Sequence, residues 1–190
     1  MENKKLNEQE SLALITQMIQ NSKKGLVVGS GNSFLFWGYL TLAVSIAIFL
    51  LLYITGNQSW FWLGIVIPVI GCLYTYWISR RNGKKTMSYV DKVISNVWQI
   101  VGGTCAIIAL LALNYGNNIA ILPLLLLVLS VGAGITGSVI QEKSFYNCSA
   151  FGIAISLGML FNINSIVEGP LRQVFAFALA ITVVMIIPGH

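Results

Sequence analysis

Apolar residues along this chain fall into six long runs that are separated by short polar segments. The runs carry no charge at their centres and cover residues 34–53, 60–78, 97–113, 119–140, 145–161 and 171–187. A helix of about 20 apolar residues crosses the hydrocarbon core of a bilayer, and about 17 suffice. The pattern therefore predicts an all-α polytopic membrane bundle of about six transmembrane helices. The fifth and sixth runs give the weakest signal, so the predicted range is four to six.

The first 33 residues differ from these runs, because they predict a cytoplasmic amphipathic helix followed by a linker. Between residues 7 and 26, apolar side chains recur on one face at helical spacing and polar ones occupy the other. Asn7 can cap this helix, with Glu10 three positions later as in a capping box. A second amphipathic stretch, 86–97, is expected to continue unbroken into the third run. Each apolar face is expected to pack against the other one, against the headgroup layer or against a partner protein.

Charge sets the expected direction of the chain across the membrane. Only 9% of the 190 residues are charged and 56% are hydrophobic, whereas soluble domains carry about 25% charged residues. If the N-terminus is inside, ten of the 11 Lys and Arg residues lie in cytoplasmic segments and only Arg172 lies outside. Cytoplasmic loops are enriched in Lys and Arg, so both termini are predicted to be cytoplasmic. The candidate basic surface, which is expected to attract anionic headgroups, consists of Lys23, Lys24, Arg80, Arg81, Lys84 and Lys85.

The sequence does not indicate catalytic or metal chemistry. Ion-coupled transporters and proton pumps usually keep ionisable residues inside a span, and none lies at mid-membrane depth here. Intramembrane enzymes need reacting groups such as Ser with His, and Ser130 and Ser138 have no such companion. The three cysteines, Cys72, Cys105 and Cys148, lack metal-ligand or redox spacing and are expected to be small buried residues. We therefore expect no enzyme activity, no cofactor and no metal site.

Small residues recur at four-residue spacing in the third, fourth and fifth runs. Such spacing lets helix backbones approach closely in a membrane. Two interpretations remain open, namely tight packing within one bundle and an interface with a second copy or another protein. The candidate packing residues are Ser130, Gly134, Ser138, Gly152, Ser156, Gly102 and Ala106.

A polar segment between the fifth and sixth runs contains a second candidate site, on the outer side. Glu168 and Arg172 are four residues apart and flank Pro170, and Asn162 and Asn164 lie just before them. A role in gating a substrate is one interpretation. The other is a hydrated loop in which an exposed ion pair contributes about 0–1 kcal/mol.

Three segments resemble a group of small, uncharacterised six-span bacterial inner-membrane proteins. The segments are Asn7-Glu8-Gln9-Glu10-Ser11-Leu12-Ala13-Leu14-Ile15, Phe34-Leu35-Phe36-Trp37-Gly38-Tyr39 and Ile187-Pro188-Gly189-His190. They correspond to an amphipathic N-terminal helix, an aromatic-Trp-Gly entry to the first span and a Pro-Gly ending. The resemblance implies location in the bacterial inner (plasma) membrane. Because such proteins are similar to ones encoded beside winged-helix regulators, it also implies a membrane-bound regulatory role, with no site residues to carry over.

Two functions follow as hypotheses. The first is a non-enzymatic membrane protein that acts through protein contacts at the cytoplasmic face, as a homo-oligomer or with a cytoplasmic regulatory protein, without direct nucleic-acid binding. The alternative is a small-solute transporter or a substrate-binding subunit similar to those of energy-coupling-factor transporters. The span count, Pro68 and Pro123 inside two spans, and a weak internal hairpin repeat favour this alternative. A transporter would have a central cavity with convergent polar groups.

Overall fold

The computed structural model of the chain describes residues 34–81, 89–115, 121–161 and 169–189, together with Thr16. Every regular element within these ranges is helical, and six helices are long and apolar enough to cross a membrane. The predicted all-α bundle is therefore confirmed, with a span count at the top of the predicted range. Apart from Thr16, the amphipathic helix predicted at 7–26 lies outside the described residues.

Except for the starts of the second and third helices, which the sequence predicts at 60 and 97, the helices begin and end within a few residues of the predicted boundaries. Their bounds are Phe34–Thr55 for α1, Val66–Arg81 for α2, Tyr89–Tyr115 for α3, Ile121–Ile140 for α4, Lys143–Phe161 for α5 and Pro170–Gly189 for α6. A 3₁₀ helix, Gln58–Ile65, precedes α2 and forms the first part of the second span. The 27 residues of α3 form one helix, so the expected continuation of the second amphipathic stretch into the third span is confirmed from Tyr89 onward. Residues 86–88 lie outside the described residues.

The turn between α1 and the 3₁₀ helix is held by side-chain hydrogen bonds. Gly56 has a φ of +64°, a left-handed conformation that suits glycine after a helix end, and its N–H donates to the Leu52 carbonyl at 2.9 Å. The Asn57 side chain caps the 3₁₀ helix by accepting from the Ser59 N–H at 3.0 Å. The Trp60 indole N–H donates to the Thr55 hydroxyl at 2.9 Å. These bonds satisfy polar groups where two spans meet water.

The centre of the bundle lies between α4, α5 and α6. Leu126, Ile181 and Val184 are fully buried there. Within α6, the segment Thr182–Ile186 is π-helical, and three consecutive side chains, Val184 to Ile186, are buried. The wider turn of a π-helix lets these neighbours face two partners, α1 at Gly38 and α5 at Gly152.

The second and third spans lie at the periphery. Only 6% of the residues in each of their apolar stretches are buried, against 39% in α4 and 44% in α6. Large apolar side chains such as Leu73, Ile100 and Ile107 are mostly exposed. An apolar surface of this extent fits contact with lipid tails, so the two helices flank the core rather than form it.

The start of α1 and the end of α6 lie at the same end of the bundle. Leu35, in the first turn of α1, packs against Gly189, where α6 finishes. The described positive charges of α2, α3 and the α4–α5 turn, Arg80, Lys92 and Lys143, belong to this end, which we call the basic end. The opposite end, which carries Thr55, Trp60 and Arg172, is called the far end.

Candidate functional site

An aromatic cluster ties three helices together at the basic end. The Phe34 ring, 5% exposed, packs edge-on against Trp98 of α3, with centroids 5.0 Å apart. It packs in the same way against Phe145 of α5, at 5.1 Å. Edge-on pairs at this distance are a favoured geometry for aromatic rings. The first residue of α1 is thus fixed to α3 and α5 at the point where the preceding segment joins the bundle.

Hydrogen bonds extend this cluster into α4. The Trp98 indole N–H donates to the Thr136 hydroxyl at 3.2 Å, and that hydroxyl donates to the Gly132 carbonyl at 2.8 Å. Thr136 is 1% exposed, so its hydroxyl needs these partners. Val101 packs on Gly132 one turn deeper. Together these contacts hold α3 against α4.

A second group of aromatic rings attaches α2 to α1. Phe36 stacks on Tyr74 with ring centroids 3.5 Å apart. Trp37 covers Gly71, where any side chain would overlap the indole ring. Further along α2, the Arg80 guanidinium lies over the Tyr76 ring at 5.5 Å, an exposed cation–π contact. Arg80 is therefore held near the surface of the basic end.

The candidate basic surface is described only in part. Arg80 is exposed at the end of α2 and its neighbour Arg81 is the last residue of that helix. The remaining members, Lys23, Lys24, Lys84 and Lys85, lie outside the described residues. Lys92 and Lys143 are two further exposed cations of the basic end.

The α4–α5 turn forms a hollow at the basic end. Gln141 has a φ of +63°, and the Glu142 N–H donates to the Gly137 carbonyl at 3.1 Å. This six-to-one bond behind a left-handed residue is the Schellman ending of a helix. Beside it lies a hollow of about 370 Å³. We call it the turn hollow, and its lining includes Gly137, Gln141, Glu142, Lys143, Tyr146 and Asn147.

Four of the candidate packing residues meet where α4 and α5 cross. Ser130 contacts Gly152, which also lies against Val184 of α6, and Gly134 lies against Ser149. The Ser156 hydroxyl donates across the interface to the Pro123 carbonyl at 2.7 Å. Close contact between small residues is the expected basis of helix packing in lipid.

The other three candidate packing residues lie apart from this interface. Ser138 is exposed on α4, and its hydroxyl donates to the Gly134 carbonyl at 3.0 Å within its own helix. Gly102 and Ala106 are exposed on α3, and a Cβ added at Gly102 would meet open space within the described part of the chain.

Ser130 and Ser156 offer a matched pair of variants, because both are fully buried and only one is satisfied. Ser130 Oγ has no hydrogen-bond partner among the described residues, whereas Ser156 has Pro123. Ser130→Ala is expected to raise the free energy of unfolding by about 1 kcal/mol, since it removes an unpaired buried hydroxyl. Ser156→Ala is expected to lower it by about 0.6 kcal/mol, a typical value for interhelical hydrogen bonds in membranes. Reversible unfolding in mixed micelles measures both, and a loss of stability in Ser130→Ala contradicts the first expectation.

The candidate outer polar site is mostly outside the described residues. Asn162, Asn164 and Glu168 all fall there. Arg172 is exposed in the first turn of α6 at the far end. Groups of three or more His, Cys, Asp or Glu side chains that could hold a metal do not occur within the described ranges.

Sequence reasoning missed two features of the basic end. In the aromatic cluster, Phe34 contacts residues 64 and 111 positions later in the chain, and this spacing carries no signal of contact. The turn hollow had a weak signal, because Gln141, Glu142 and Lys143 form a short polar interruption between two apolar runs. A connection this short forces two antiparallel helices to pack side by side.

Comparison with protein-family models, with curated proteins and with solved structures finds no match to this chain. Assignment of a function therefore rests on the geometry of the bundle and on the sequence.

Proposed function

We propose that this chain is a non-enzymatic protein of the bacterial inner membrane that acts through protein contacts at its basic end. In this proposal the basic end faces the cytoplasm, and the six spans hold a rigid platform in the bilayer. The partner is a second copy or a cytoplasmic regulatory protein that recognises the basic surface and the N-terminal segment.

The observation that carries the proposal is the way helices are fixed to one another at the basic end. Phe34 holds the start of α1 against α3 and α5, and Leu35 packs against the end of α6. The first turn of α1 is therefore in contact with α3, α5 and α6. A partner that binds this turn or the adjoining α4–α5 turn would have a fixed platform to bind, which supports a role in recognition or assembly.

The charge distribution supports the cytoplasmic orientation. Ten of the 11 Lys and Arg residues lie in the sequence before residue 34, between residues 80 and 92, or at residue 143. Arg172 lies at the far end. An excess of positive charge marks cytoplasmic segments. It also attracts anionic lipid headgroups, which would keep the N-terminal segment close to the membrane surface.

The packing of the centre favours this function over solute transport. A transporter requires a cavity with convergent polar groups near the middle of the bilayer. In this bundle the region between α4, α5 and α6 is occupied by Leu126, Ile181 and Val184, all fully buried. A groove of about 230 Å³ between α1 and α6 is almost wholly apolar in its lining, as at Phe49 and Phe175. Neither feature resembles a site for a polar solute.

Site-specific photo-crosslinking in cells tests the proposal. A photo-reactive phenylalanine analogue is placed at Tyr146, 60% exposed at the basic end, or at Phe161, 87% exposed at the far end. We expect the Tyr146 position to yield one defined protein adduct and the Phe161 position to yield none. The double variant Lys84→Gln, Lys85→Gln is expected to weaken the Tyr146 adduct several-fold, because the basic surface contributes to recognition.

Two results contradict the proposed function. One is the same set of adducts from both positions, which indicates random collisions in the membrane. The other is a Tyr146 adduct whose yield is independent of the lysine substitutions. Lys92→Gln serves as a control for the loss of a positive charge elsewhere, since Lys92 is exposed on α3 and lies outside the basic surface as defined.

A further inference from the structure

The turn hollow has an unusual position and composition for a bundle with so few polar side chains. It occupies about 370 Å³ beside the α4–α5 turn, between the ends of two spans. Helix ends of this kind lie at the boundary between hydrocarbon and headgroups. Its lining combines a carboxylate, an ammonium group, two amides and a phenol, from Glu142, Lys143, Gln141, Asn147 and Tyr146. Such a lining offers polar groups beside apolar surface, as contact with the headgroup layer requires.

The two charges of the hollow are opposite in sign and adjacent in sequence. Glu142 and Lys143 are both exposed, and neither side chain has an ion-pair partner within the part of the chain that the structure describes. The hollow therefore presents one negative and one positive group to whatever occupies it. A ligand with both charges complements this arrangement better than a ligand with a single charge.

The ends of α4 and α5 add partial charges of both signs to the hollow. The last carbonyls of α4 give the partial negative charge of a helix C-terminus, and the first N–H groups of α5 give the partial positive charge of an N-terminus. Both helices are long, with 20 and 19 residues. The positive end of α5 begins at Lys143, so a phosphate placed there meets an ammonium group and the positive end of the helix dipole together.

A glycine allows the two helix ends that line the hollow to pack closely together. Gly137 lies so close to Phe145 that an added Cβ would be 2.6 Å from the Phe145 Cβ and 3.0 Å from the Tyr146 nitrogen. This close approach brings the last turn of α4 against the first turn of α5. The polar side chains of the two turns consequently surround one small space.

We propose that the turn hollow binds the headgroup of a zwitterionic phospholipid that carries a primary ammonium group, as in phosphatidylethanolamine. The phosphodiester lies against Lys143 and the first turn of α5, and the ammonium donates hydrogen bonds to Glu142 and the neighbouring amide oxygens. This site does not depend on the proposed protein-contact function. It differs from the general attraction of the basic surface for anionic lipid, because Glu142 repels a headgroup with net negative charge.

The proposal is tested by comparing the binding of phospholipids whose headgroups differ in charge or in hydrogen-bond donors. The purified full-length chain is titrated in detergent with phosphatidylethanolamine, phosphatidylcholine or phosphatidylglycerol of identical acyl chains, and bound lipid is counted by native mass spectrometry. Phosphatidylcholine keeps the phosphate and the positive charge but cannot donate a hydrogen bond to Glu142. We expect phosphatidylethanolamine to bind about fivefold more tightly than either other lipid, which corresponds to about 1 kcal/mol for an exposed charged pair.

Variants of the two charged residues separate their roles. Glu142→Gln is expected to remove the preference for phosphatidylethanolamine over phosphatidylcholine, because only the ammonium contact changes. Lys143→Gln is expected to weaken the binding of both lipids about equally, because both contain the phosphate. Lys92→Gln is the matched control and is expected to leave all three affinities unchanged. All three residues are exposed, so the variants are expected to fold.

Three outcomes overturn the proposal. The first is equal affinity of the unmodified chain for phosphatidylethanolamine and phosphatidylcholine. The second is tighter binding of phosphatidylglycerol, which would assign the bound lipid to the basic surface. The third is a loss of affinity in Lys92→Gln as large as that in Lys143→Gln.

Discussion

Replacing Gly152 with alanine is expected to destabilise the bundle by about 2 kcal/mol, the middle of the range for overpacking a tightly filled core. Gly152 lies where α5 meets both α4 and α6. A Cβ at this position would overlap Ser130 Oγ on one side and Val184 Cγ2 on the other. Both neighbours are fully buried and short, so neither side chain can move aside freely. The helices must separate to admit the methyl group.

Gly158→Ala is the matched control for this prediction. Gly158 lies on the same helix, but it is exposed and a Cβ there would have no heavy atom within 4 Å among the described residues. Alanine is a better helix former than glycine by about 1 kcal/mol in aqueous helices, so Gly158→Ala is expected to be neutral or stabilising. Reversible unfolding in mixed detergent and dodecyl sulfate micelles gives both free energies. Equal effects of the two substitutions would show that α5 does not pack at Gly152.

A double variant identifies the atom that resists the substitution. Ser130→Ala removes the hydroxyl that the new methyl group would overlap. If that overlap dominates, Gly152→Ala is expected to cost less in a Ser130→Ala background than in the unmodified chain. Coupling energies between touching residues are about 0.5–3 kcal/mol. Additive effects would instead assign the cost to Val184 and α6.

Much of this fold could be predicted because each span is a continuous apolar run that ends at polar residues. The turns at 55–58 and 141–142 stand out in the sequence for that reason. The neighbours of each helix could not be predicted in the same way. Lipid tails are as apolar as leucine, so the side of a span that faces protein has no distinct hydrophobic pattern. Arrangement in space therefore had to come from the structure.

The small residues illustrate this limit. Gly102 with Ala106 on α3 has the same four-residue spacing as Gly152 with Ser156 on α5. The first pair is exposed at the periphery, whereas the second is buried against α4 and α6. Spacing shows that a close approach is possible, but the partner helix decides whether it occurs. The π-helical segment of α6 is a similar case, because it depends on packing against two partners at once.

Phe34→Ala is expected to produce the largest loss of stability among the variants described, about 3 kcal/mol, the lower end of the range for removing a buried aromatic ring. The ring is 5% exposed and contacts Trp98 and Phe145 in edge-on geometry. Its removal leaves a cavity where α1, α3 and α5 meet. In a membrane the loss comes from dispersion contacts rather than from transfer out of water, because lipid is as apolar as the core.

Phe161→Ala is the matched control, since Phe161 is 87% exposed at the end of α5. It is expected to change the free energy of unfolding by less than about 0.5 kcal/mol, the usual range for exposed positions. Phe34→Leu is expected to fall between the two, because leucine fills part of the cavity. Unfolding in mixed micelles measures the change in the free energy of unfolding for the three variants. A change in Phe34→Ala as small as that in Phe161→Ala would contradict the stabilising role of the aromatic cluster. If the protein-contact proposal is correct, Phe34→Ala is also expected to reduce the Tyr146 photo-adduct, because it releases the start of α1 from α3 and α5.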